Sequence, residues 1–377
     1  MRTIYIIDPH VADFVFIPFF WNLFKKKSLL KYKYFQSLLF EQNTRIIFII
    51  TKKHSSLPNR IFHRLPKLFG VLLLRLEIRL WLRQNKLQAI PVIFDNIWNV
   101  YGDENCSFFA FGYKTFDSLL LLSKRYHKGC DFFIHLSHYH TFPKVYDLGL
   151  NPNIFLCADN DCGQNDFFKV KFKNYFKPIV VIPFYVKDEF FQYKLKGERE
   201  DKVLITGTYH NIEVNQSTFD FGIYNSIGNL CLHPDRFKAL SLSDNSMIEF
   251  RVSEYGKKVN KQKDYFKVPF SDLYKTFRFA YVPGEGTGLI AIGTLEAYCS
   301  GCKVFILQTE LKGLGCPIGN FIPIQSFEQF KNYLENKDRY LMLDFHDEIW
   351  ADRFRYKNLS YRIRRLFVDL IFEAEYI

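Results

Sequence analysis

The sequence predicts an α/β protein made of two Rossmann-like domains facing each other across a cleft. Short β-rich runs alternate with longer helical patterns, the rhythm of βα units and parallel sheets. The chain has 377 residues, more than a single core commonly holds. A polar, charged stretch, Tyr193 to Asp201, interrupts the rhythm, and a fresh strand follows it at once.

In the first half, strands are expected at Thr3 to Ile7, Arg45 to Thr51, Ala89 to Phe94, Asp131 to Leu136, Asn153 to Cys157 and Pro178 to Pro183. In the second half they are expected at Lys202 to Gly207, Ile248 to Val252, Phe279 to Val282, Lys303 to Leu307 and Phe321 to Pro323. These give an N-terminal domain over residues 1–185, a C-terminal domain over 200–348, and a last helix in 349–377 that returns to the first domain. Leu57 to Lys86 has helical period, with Arg60, Arg64, Lys67, Arg75, Arg79 and Arg83 interleaved with Phe62, Leu65, Leu72, Leu76 and Leu80. An apolar stripe beside a basic one is either a domain helix with a solvated face or a surface for an anionic membrane.

Lys and Arg number 51 against 39 Asp and Glu, a formal charge of +12 that favours polyanions, anionic lipid or phosphorylated substrates. No zinc-type Cys/His pairing, helix-turn-helix pattern or RNP-like strand accompanies the charge, so nucleic acid is not an expected partner. The eight cysteines are scattered and read as free thiols of a cytoplasmic protein. The apolar runs Phe14 to Phe24 and Phe69 to Leu74 are too short to span a bilayer.

The chemistry concentrates in Phe279 to Ile306, which reads as strand, glycine-rich loop, short helix, glycine stop, strand. Gly284, Gly286 and Gly288 allow tight turns or close approach of a ligand to the backbone. Gly293 and Thr294 open a helix whose unpaired N–H groups and dipole suit a diphosphate. Glu285 in the loop and Glu296 in the helix are carboxylates able to accept hydrogen bonds from vicinal hydroxyls of ribose or hexose. Phosphate donors between two such hydroxyl readers fit a nucleotide sugar.

Glu285-Gly286-Thr287-Gly288-Leu289 followed by Glu296-Ala297 and Gly301 resembles the donor motif of the retaining GT-B glycosyltransferases, with more residues between the two glutamates than that group usually has. The resemblance extends weakly to Val181-Ile182-Pro183, to Val203 to Gly207 and to Phe270 to Tyr274. It implies that Glu285 meets the donor sugar and Glu296 the ribose, with Gly207, Gly286, Gly288, Gly293 and Thr294 around the donor. His233 in Leu232-His233-Pro234-Asp235-Arg236 is similar to the His-Pro pair of GT-B enzymes that use CMP-sugars, the sialyl- and Kdo-transferases. A helix-starting turn without chemical role is the other reading of that pair.

Arg251 and Lys257 flank a strand end and could stabilise the charge that develops on a departing diphosphate. Surface charge is the plainer account of both. In the N-terminal half Asp8 and His10 follow the first strand, and His135, His138 and His140 follow the fourth. Carboxyl ends of parallel strands line the ligand crevice, so Asp8, His10 or His138 could be the general base of an inverting transfer. No metal site and no cofactor are expected.

The resulting expectation is a cytoplasmic glycosyltransferase, on the inner face of the membrane or free of it. It would move a sugar from a nucleotide-sugar donor to a glycan or lipid-linked glycan of a bacterial surface polysaccharide, with retention slightly favoured. Its rivals are an inverting CMP-sugar transferase, a nucleotide-sugar epimerase, and a catalytically silent partner subunit.

Overall fold

The computed structural model describes residues 2–7, 31–50, 67–93, 106–111, 116–125, 129–142, 144–149, 151–191, 199–209, 221–228, 231–254, 268–336 and 348–369. Of the residues singled out above, Asp8, His10 and Lys257 lie outside them, as do the first turns of the long helical pattern. By its contacts the chain forms two compact units, one of residues 1–139, 150–157 and 356–376, the other of residues 140–149 and 158–355.

The first unit carries strands β1 (Arg2–Ile7), β2 (Thr44–Ile50), β3 (Ile90–Ile93), β4 (Cys106–Phe111), β5 (Cys130–His135) and β6 (Ile154–Ala158). They run in the order β3-β2-β1-β4-β5-β6, and every pairing among them is parallel. That is the doubly wound order, which reverses direction between β1 and β4. The sequence expectations fall within a few residues of β1, β2, β3, β5 and β6; Pro178 to Pro183 shrinks to the two-residue strand Val180–Val181.

Strand β4 was not anticipated. All six of its residues are buried, so it shows no alternation of apolar and polar residues. Its aromatics explain part of the chain's 42 Phe. Tyr5, Phe108 and Phe132 stack across three adjacent strands in register, with ring centroids 4.5 and 4.9 Å apart. On the other face Phe109 and Phe133 meet Phe367 at 5.5 and 5.0 Å. Phe367 follows the helix Tyr356–Arg364, which lies against the turn Lys33–Phe40 and pairs Arg364 with Glu41 at 3.2 Å.

Helix α1 (Lys67–Gln84) turns its apolar faces in a way the pattern did not foresee. Ile78, Trp81 and Leu82 are buried, while Leu72, Leu76 and Leu80 stand 46%, 52% and 36% exposed. No described helix is long and apolar enough to cross a membrane.

The second unit carries β7 (Glu200–Tyr209), β8 (Ile248–Glu254), β9 (Phe277–Tyr281), β10 (Lys303–Leu307) and β11 (Phe321–Ile324). The order is β8-β7-β9-β10-β11, all parallel, and the winding reverses between β7 and β9. Tyr281, Phe305, Phe327 and Phe330 fill its core beneath the sheet. The end of the polar stretch is part of β7, which begins at Glu200. Nor do the units divide there: residues 158–355 fall together in the second, and side chains of Asn160 and Asn165 are bonded to the loop after β9.

Candidate functional site

In a doubly wound sheet the crevice for a ligand opens at the carboxyl ends of the strands on either side of the reversal. In the second unit those are the ends of β7 and β9, and β9 delivers the chain into Pro283-Gly284-Glu285-Gly286-Thr287-Gly288-Leu289. The loop closes on itself, since Glu285 N–H donates to the Leu289 carbonyl at 2.8 Å and Gly288 N–H to the Glu285 carbonyl at 2.9 Å. Gly288 has φ +83, and a Cβ there would meet Asn165 at 2.8 Å. Only glycine takes that conformation without strain.

Two asparagines hold the loop from the segment after β6. Asn160 Nδ2 donates to the Gly288 carbonyl at 2.9 Å and its Oδ1 accepts from Ile290 N–H at 3.0 Å. Asn165 Nδ2 donates to the Gly286 carbonyl at 3.2 Å, while its Oδ1 caps the helix Asp166–Lys171 through Phe167 N–H. Neither was found by sequence reasoning; the only signal was a polar cluster, Asp159-Asn160-Asp161, at the end of a predicted strand.

Glu285 is thereby fixed at the strand end. Its Oε2 accepts from Thr287 Oγ1 at 2.9 Å, and Thr287 is fully buried. His140 Nδ1 stands 3.7 Å from the same oxygen, with that imidazole almost wholly buried. At that distance the carboxylate and the imidazole face the same small volume, where both can meet the hydroxyls of one bound group. His138, the residue named as a base, lies in the turn before this pair with φ +55.

The His-Pro turn joins the same loop. Gly286 N–H donates to the Leu232 carbonyl at 2.6 Å, and His233 sits at the start of helix α2 (Pro234–Lys238) with Pro234 in its first turn. Arg236, from that helix, bridges the reversal itself: Nε donates to the Pro283 carbonyl and Nη1 to the Thr208 carbonyl, both at 2.7 Å. This accounts for Gly207, with φ +136, where a Cβ would meet Arg236 Nε at 2.8 Å. The close neighbour of Gly207 is a side chain of the protein.

Helix α3 (Ile292–Cys299) begins one residue before the expected position. Thr294 Oγ1 donates to the Val282 carbonyl at 2.9 Å, and a Cβ on Gly293 would meet Tyr274 Oη at 2.7 Å. Both residues are thus committed to packing the helix start against β9 and Tyr274. Glu296 is partly buried in the second turn. Arg251 pairs within its own strand with Glu249 at 2.7 Å.

Glu310, in helix α4 (Gln308–Leu314), is a carboxyl that sequence reasoning passed over. It is buried under Gly284 and takes backbone N–H bonds from Leu307 and Gly284. Burial, then the nearby Asp235 charge, pushes its pKa up to about 8. Tyr281 donates to Asp235 Oδ2 at 3.2 Å, and burial raises its phenol well above the ordinary value.

No protein-family model matches the chain, and no curated protein matches it significantly. Among solved structures it is similar to Anabaena HepE in complex with UDP and glucose, at TM-score 0.46 and 9% identity over 97% of this chain and 99% of that one. It is also similar to the lipopolysaccharide outer core galactosyltransferase WaaB in apo form, at TM-score 0.42 and 11% identity over 97% and 98%. Sucrose-phosphate synthase from Thermosynechococcus elongatus gives TM-score 0.41 and 10% identity over 97% and 95%. At these values the likeness decides nothing about the site. The two parallel α/β sheets are seen directly in the chain's own strand order.

Proposed function

We propose that the protein is a GT-B type glycosyltransferase that moves a sugar from a nucleotide-sugar donor to an acceptor hydroxyl. One observation carries the reading: Glu285 is held by Thr287 and faces His140 at the carboxyl end of β9, beside the reversal of a doubly wound sheet. A fixed acidic group there suits the hydroxyls of a bound sugar. The donor diphosphate is placed at the start of α3, and Glu296 with the ribose. In the transfer the bond from C1 to the departing phosphate oxygen breaks, a bond to the acceptor oxygen forms, and the acceptor proton is lost to a base. We propose a glycan or lipid-linked glycan of a bacterial surface polysaccharide as acceptor, with retention at C1.

Thermal melting with UDP, GDP, CMP and dTDP tests the donor site, because a ligand of the native state raises the melting temperature by mass action. One of the four is expected to stabilise the protein, and Glu296→Ala to abolish the shift without loss of fold. No stabilisation by any of them, or by their glucose, galactose or sialic acid conjugates, would refute the reading. An acceptor-independent conversion of the nucleotide sugar would instead identify an epimerase.

A further inference from the structure

Helix α1 has one side in the core and a different kind of side outside. Projected at about 100° per residue, Ile78, Trp81 and Leu82 occupy one half of the helix, and Leu72, Leu76, Leu80, Arg75, Arg79 and Arg83 share the opposite half. All three of these leucines are exposed, and so are Arg79 and Arg83, with Arg75 half-buried. Among the described residues no carboxylate forms an ion pair with any of these three arginines. A solvated face does not usually carry three large leucines at four-residue spacing between cations.

We infer that this face is a docking surface for an anionic lipid bilayer, the leucines entering the boundary of the acyl chains and the arginines remaining among the headgroups. The mixture selects this occupant. Phosphates of a nucleic acid would meet the arginines but gain nothing from the leucines. A second copy of the chain, paired about a two-fold axis, would bring arginine against arginine. A bilayer with negative headgroups satisfies both kinds of side chain, and long arginine stems can cover apolar surface while their heads stay in water. Each contribution alone is weak, so binding should need both and be reversible. The inference does not depend on the glycosyltransferase reading: nucleotide stabilisation could fail while vesicle binding holds, and the reverse.

The test is co-sedimentation of the full chain with vesicles of phosphatidylglycerol and phosphatidylcholine, compared with phosphatidylcholine alone. The protein should bind the anionic vesicles and release from them as salt is raised, since screening weakens the arginine contribution. Leu72→Gln, Leu76→Gln and Leu80→Gln together, and Arg75→Gln, Arg79→Gln and Arg83→Gln together, should each lower the bound fraction about tenfold. If either triple variant melts early, Leu76→Gln alone, at the most exposed of the three leucines, should still give a measurable loss. The proposal is overturned if the unaltered protein ignores anionic vesicles, or if the leucine variants bind as well as it does. It is also overturned if the protein is a dimer in solution that the leucine variants convert to monomer, because the face would then belong to a second copy.

Discussion

Asn160 and Gly288 are joined by a 2.9 Å hydrogen bond from the amide nitrogen to the carbonyl, while the same amide's oxygen takes the N–H of Ile290 at 3.0 Å. One buried side chain thus supplies both of the bonds that a neighbouring strand would have given the loop. Asn160→Leu keeps the approximate volume and removes both. It should destabilise the second unit by about 1–3 kcal/mol through unpaired backbone groups, and should weaken nucleotide stabilisation more than Asn160→Asp, which retains the acceptor. Chemical denaturation and nucleotide melting shifts measure the two effects.

Glu285→Gln should leave the fold intact, since a carboxamide still accepts from Thr287. Sugar transfer should fall by about 100-fold or more if the carboxylate meets the reacting groups. Donor-dependent turnover with the nucleotide melting shift as a control separates the chemistry from binding. Equal activity in the variant would show that Glu285 is a scaffold residue.

Glu310 links stability to pH. Burial raises its pKa to about 8 in the folded protein, from an ordinary carboxyl value of 4.5. Between those values the folded state holds a proton that the unfolded chain has released. Stability should therefore fall as pH rises from about 5 to 8 and level off above the folded pKa. Glu310→Gln should flatten this dependence and be the more stable form at pH 8, by on the order of a few kcal/mol. Urea unfolding at several pH values reads both, and a slope unchanged in the variant would assign the effect to another group.

Phe367 is fully buried among Phe35, Phe109 and Phe133 of the first unit. Phe367→Ala should cost about 3–5 kcal/mol, the usual range for emptying such a site, whereas Phe367→Leu should cost much less. Removal of residues 356–377 takes this side chain away together with its helix, and should lower the melting temperature at least as far as the single substitution does.

The fold class was legible because strand rhythm is a local property: ten of the expected strands lie where pairing places them, and β10 begins and ends where its apolar run does. The strand that escaped, β4, sits in the middle of its sheet with both faces covered, so nothing in its composition marks an inside and an outside. The glycine-rich loop and its carboxylate were legible for the same local reason. What surrounds them was not. Asn160, Asn165, His140 and Glu310 come from separate stretches of chain, and each carries its role through a partner that spacing cannot reveal. Gly207, Gly293 and Thr294 likewise have neighbours that spacing could not reveal, in Arg236, Tyr274 and Val282.

Arg236 carries a permanent charge in a place that water scarcely reaches. Guanidinium does not titrate in any ordinary buffer, and at short range the surrounding low dielectric leaves its field poorly screened. Its two bonds across the reversal therefore hold through the pH range in which the neighbouring Glu310 carboxyl changes charge.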